Sequence, residues 1–133
     1  MTKFSDMTER EYFANVAKRP GMYVQPPSLS GLEAFLEGYA QHAYRHGGPG
    51  LDGWRDWLLG RLGHQSSFVW QGLVRQIALP EADGEFWSLT PEEEAHVVHV
   101  LFQLLDQFLA EQEANAEQEA NAEREVKHVA GDK

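Results

Sequence analysis

The chain has 133 residues, 42% of them hydrophobic and 24% charged, and its 11 Lys and Arg against 21 Asp and Glu give a formal net charge of -10. That length accommodates one domain with one core and leaves no room for a second catalytic domain. The acidity excludes unaided binding to nucleic acid or to an anionic membrane, and the absence of cysteine excludes disulfides, zinc-thiolate sites, iron–sulfur clusters and thiol nucleophiles.

Thr8-Glu9-Arg10-Glu11 is a capping box, so a helix is expected from near Glu9, with Tyr12, Phe13 and Val16 on one side and a stop before Pro20-Gly21. A second helix is expected from about 29 to 46. Ser28 and Ser30 are both N-cap candidates, Glu33 completes a box with Ser30, and Leu32, Phe35, Leu36, Tyr39 and Ala43 recur at helical spacing. Gly47-Gly48-Pro49-Gly50 ends it. Asp52 is then expected to cap a shorter helix through about 62, carrying Leu51, Trp54, Trp57, Leu58 and Leu62. Ser66 or Ser67 begins a fourth, with Trp70, Leu73, Val74 and Ile77 on its apolar face and Pro80 as its terminator. Thr90-Pro91-Glu92-Glu93 joins an N-cap, a proline at the first helical position and a glutamate at the third, and starts the core helix. Val97, Val98, Leu101, Phe102, Leu104, Leu105, Phe108 and Leu109 supply its wide apolar face.

From Glu111 the character changes, because Glu-Gln-Glu-Ala-Asn-Ala occurs at 111–116 and again at 117–122 with no large apolar side chain. Residues 1–110 are therefore read as the helical domain and 111–133 as an acidic low-complexity tail, either a helical extension or disordered, with fraying expected from about 115. No strand-like alternation of useful length occurs, so the expected fold is a single small all-α bundle of about five helices. No apolar run approaches the roughly 18 residues of a membrane span, and Met1 to Met7 lacks the apolar stretch of a secretory signal, which makes the cytoplasm the expected compartment.

The charge is regional. Residues 1–75 hold eight basic and seven acidic side chains, whereas residues 76–123 hold twelve acids and no Lys or Arg. Six of the acids fall between 81 and 94, beside Phe86 and Trp87. The bland reading is a solvated surface, with Glu92, Glu93 and Glu94 favouring a helix N-terminus and Trp87 packed on the core. The sharper one is a docking face for a basic partner, in which Glu81, Asp83, Glu85, Glu92 and Glu93 steer and Phe86 and Trp87 are buried on contact.

Signatures of chemistry are missing. His42 and His46 are spaced i, i+4, and His96 and His99 i, i+3, but Ala43-Tyr44-Arg45 lacks the glutamate of a zincin helix and no third ligand is marked. No metal, cofactor or catalytic residue is expected. The stripe of Trp54, Trp57, Trp70, Phe35, Tyr39 and Phe68 reads as core before it reads as a ligand pocket.

Arg19-Pro20-Gly21-Met22-Tyr23 also occurs in type II topoisomerase ATPase domains, but the Asn and Asp-x-Gly-x-Gly that hold ATP and magnesium there are absent. The fuller pattern adds Ser28-Leu29, Leu32, Phe35, Gly38-Tyr39, a Gly/Pro-rich break, Trp54 with Trp57-Leu58, and Trp70 ahead of an acidic stretch and Phe102-Gln103-Leu104-Leu105. Over residues 10–110 this resembles a group of small, acidic, helical bacterial proteins found as immunity proteins beside polymorphic or contact-dependent toxins. The resemblance implies a non-enzymatic cytoplasmic protein that neutralises a cognate toxin, with the acidic face set against a basic site such as that of a nuclease. The alternative from another class is a structural or adaptor protein that forms a homodimer through its aromatic stripe. By itself Pro20-Gly21 is a turn that lets Met22 and Tyr23 pack back on the bundle.

Overall fold

The computed structural model describes residues 6–82 and 87–131. Among them the chain is all-helical: α1 (Glu9–Lys18), a 3-10 turn (Pro20–Met22), α2 (Leu29–Arg45), α3 (Trp54–Leu62), α4 (Trp70–Ala78) and α5 (Pro91–Gly131), with no strand. None of these helices is long and apolar enough to cross a membrane.

α1 starts where its capping box predicts, with the Glu11 amide donating to Thr8 Oγ1 at 3.2 Å and the Thr8 amide to Glu11 Oε1 at 3.4 Å. Its end is set by Pro20, which pushes Arg19 out of the helical region to φ -140°, ψ 65°. Tyr23 then turns back against Tyr12 and Phe35, at ring separations of 5.8 and 6.5 Å. Met22, expected to pack with it, is instead 73% exposed at the end of the 3-10 turn.

α2 is capped by Ser28, whose Oγ accepts from the Gly31 amide at 3.1 Å, rather than by a Ser30–Glu33 box. Its far end is a Schellman turn: Gly47 sits at φ 77°, Gly48 N–H donates to Ala43 O at 2.8 Å and Gly47 N–H to Tyr44 O at 3.3 Å. The next two starts differ from expectation. α3 begins two residues after Asp52, on Gly53 at φ 82°, and α4 begins at Trp70 with Val69 as a cap that offers no side-chain bond. Both polar candidates are engaged elsewhere. The Asp52 carboxylate lies near the Tyr44 hydroxyl, and Ser66 Oγ accepts from the Phe68 amide at 3.2 Å, closing a local turn ahead of the helix.

α5 organises the bundle and contacts α1, α2 and α4, while α3 packs on α4. Val97, Leu101, Leu104, Leu105, Phe108 and Leu109 are all buried, as the apolar face of the sequence requires, in one core with Val16, Leu32, Leu36, Leu58 and Leu73. Of the aromatic stripe Trp54 is buried, and Phe35, Tyr39, Trp57, Phe68 and Trp70 are partly buried against the core. Trp54 is enclosed, stacked on Trp57 at 5.8 Å and 15°, with Phe108 at 5.3 Å and Trp70 at 6.0 Å.

Beyond Ala110 the acidic extension continues as the same helix, and from 111 to 127 only Ala120 is less than exposed. Its first turn still touches the bundle, since Trp57 Nε1 donates to the Glu111 carboxylate and Arg10 Nη1 lies 3.9 Å from Glu113.

Candidate protein-binding surface

The acidic segment expected to act as one face is divided by the fold. At the start of α5 the capping box forms, with the Thr90 amide on Glu93 Oε1 at 2.9 Å and the Glu93 amide on Thr90 Oγ1 at 3.1 Å. Glu94 turns inward and its Oε1 accepts the Leu29 amide at 3.2 Å, satisfying an orphan N–H at the start of α2. Glu92 is exposed and makes no hydrogen bond or ion pair among the described residues. Glu81, also exposed, borders with Glu93 and His96 a depression of about 380 Å³. Asp83, Glu85 and Phe86 lie outside the described residues.

Trp87 stands apart from that depression, on the rim of a wider groove of about 650 Å³. It is 61% exposed, so its packing as a core residue is not what the structure shows. Its ring lies over the guanidinium of Arg75, with Cζ 4.5 Å from the ring centroid. Arg75 is only 5% exposed, donates to both carboxylate oxygens of Glu33, Nη2 to Oε1 at 3.0 Å, and to Gln71 O at 3.0 Å. Its Nε has no partner among the described residues, which leaves the indole face as what covers this end of the cation.

Along the groove wall, Glu37 Oε1 accepts Trp70 Nε1 at 2.5 Å and Gln71 Nε2 at 3.2 Å. Arg55 closes the base by donating to Ser66 O at 2.9 Å and Phe68 O at 2.8 Å. Val69, 58% exposed, lines the same groove as Trp87, so two apolar side chains stand open beside carboxylates.

Sequence reasoning identifies Trp87 and misses Glu33, Glu37, Val69 and Arg75. A signal exists for the ion pair: Glu33 falls on the stripe of Leu29, Leu36 and Ala40, and Arg75 beside Val74 and Ala78, and a charge on a buried stripe needs a partner.

Other acids are spent on the fold. Asp106 accepts Arg10 Nε at 2.9 Å and Nη2 at 3.1 Å, which holds the guanidinium pKa above its ordinary value. At Tyr39, burial first and the Glu9 carboxylate second push the hydroxyl far above its usual value. Among the histidines, His96 Nε2 sits 3.1 Å from Ala78 O at the end of α4. No three His, Asp or Glu side chains converge as metal ligands among the described residues.

No family model, curated protein or solved structure matches the chain.

Proposed function

We propose that the protein is a non-enzymatic inhibitor of the immunity type, which binds a cognate bacterial toxin in the cytoplasm through the Trp87 side of the bundle. The observation that carries this reading is Trp87 itself, a large indole left open while fixed over a buried Arg75–Glu33 pair. A ring held in place loses little entropy on contact, and burying it supplies area of the kind that dominates binding hot spots. Val69 extends the apolar centre, and the exposed carboxylates of Glu81 and Glu92, which stand apart from that groove, add long-range attraction for a basic surface. The resemblance across residues 10–110 supplies the toxin as partner, and a toxin with a cleft for nucleic acid has the basic surface these carboxylates would attract.

The test is co-expression with the toxin encoded by the adjacent reading frame, followed by titration of the purified pair. Growth should be restored by the intact chain, and Trp87→Ala should weaken binding about 30-fold, the scale of a 2 kcal/mol hot spot. Glu81→Lys with Glu92→Lys should slow association and flatten its dependence on salt. Failure to rescue, or binding indifferent to Trp87→Ala, overturns the proposal.

Self-association is the second reading, placed not on the aromatic stripe, which packs against the core, but on a separate groove of about 460 Å³ between α1 and α5, where Phe102 and Val98 are only partly buried. Sedimentation separates the two readings, because a stable homodimer dissociated by a charge placed at Val98 belongs to this reading alone.

A further inference from the structure

We propose that His42 and His46 form a two-imidazole site for a divalent transition-metal ion at the C-terminal end of α2. Their i, i+4 spacing puts both rings on one side of the last turn, with centroids 4.4 Å apart and both residues exposed. The separation is informative. A metal sits about 2.0–2.1 Å from an imidazole nitrogen and hence about 3.2 Å from the ring centre, so two rings on one ion lie about 4.5 Å apart at a right angle and about 5.2 Å apart at a tetrahedral angle. The observed 4.4 Å brings the two rings close enough to share one ion, and a two-imidazole donor set suits Ni²⁺, Cu²⁺ and Zn²⁺.

The position adds to the fit, because the negative end of the α2 dipole favours a cation, while Ala43 O and Tyr44 O are themselves taken by the turn that closes the helix. His46 is the C-cap residue of α2, so an ion shared with His42 ties the cap to the turn before it, next to the glycine-rich break. The other helically spaced pair is less available, since His96 Nε2 already meets Ala78 O. No third His, Asp or Glu joins His42 and His46 among the described residues, so water completes the shell and the ion keeps open positions.

The experiment is calorimetric titration of the full chain, made without a polyhistidine tag, with NiCl₂ and in parallel with ZnCl₂. One Ni²⁺ should bind with micromolar affinity, with Zn²⁺ competing for the same site, and His42→Ala or His46→Ala should each weaken it about tenfold or more, a change of about 1.4 kcal/mol. His64→Ala should leave it unchanged. A double variant, Gln41→His with His42→Gln, keeps the histidine count and spoils the spacing, and should bind no better than His42→Ala. Paramagnetic Ni²⁺ should broaden the His42 and His46 ring protons first. The site is refuted if both alanine variants, or the spacing variant, titrate like the parent chain.

Discussion

The carboxylates of the bundle and those of the repeat are chemically alike and do opposite things. In the bundle, Glu33 holds a buried guanidinium, Glu94 caps α2, Asp106 clasps Arg10 and Glu37 takes the Trp70 indole. In the repeat, Glu111 and Glu113 still reach Trp57 and Arg10, but Glu117 and Glu119, like Glu123 just beyond it, are exposed and meet no donor among the described residues. The period explains the second case. A six-residue repeat on a helix of about 3.6 residues per turn rotates each successive copy by about 240°, so its acids surround the helix instead of forming a face. Among the described residues negative charge is therefore structural where a donor was folded against it and diffuse along the extension.

The sharpest way to break that contrast is Arg75→Met, which leaves Glu33 charged and buried without a partner. About 3–5 kcal/mol of stability should be lost in urea unfolding, and most of it regained in the double variant with Glu33→Leu. Next is the close approach at Gly50, where φ is 54° and an added Cβ would lie 2.8 Å from Tyr44 Cε1 and 3.2 Å from Ala40 O. Gly50→Ala should cost about 2 kcal/mol by the same measurement, through left-handed strain of about 1–2 kcal/mol and the clash. Glu94→Ala, which removes the side-chain acceptor for the first amide of α2, should cost about 1 kcal/mol. At the small end, truncation after Asn115 should shift the unfolding free energy by no more than about 0.5 kcal/mol while lowering the helical ellipticity per molecule.

A pH series separates a different kind of contribution. Because the folded Tyr39 hydroxyl holds its proton far above the ordinary value of 10.0, its stabilisation is complete below that pH. It is lost as pH rises further, where the unfolded chain ionises and the folded one resists. Unfolding midpoints should therefore fall above pH 10, and less steeply in Tyr39→Phe.

What can be read ahead of the structure divides by sequence distance. The boxes at Thr8 and Thr90 involve groups three residues apart, so residue type and spacing suffice to place α1 and the start of α5. The starts of α3 and α4 fall elsewhere than expected because a polar side chain near a helix has several local partners, and Asp52 and Ser66 take others. The apolar face of α5 is legible from periodicity alone. The Arg75–Glu33 pair joins residues 42 apart, and although each stands on an apolar stripe, only the packing of α2 beside α4 tells which charge meets which. Trp87 stays ambiguous in the sequence for the same reason: its exposure depends on what lies beneath it, and that is Arg75.

One helix supplies both Val97 to Leu109 for the core and the repeat that leaves it, without a proline or glycine between Pro91 and Gly131 to act as a joint. It is a shaft with its root in the bundle. A load gripping its outer end would be delivered as torque to the seats of Leu105 and Phe108, so tethering this chain by its C-terminus pulls on the best-packed part of the molecule.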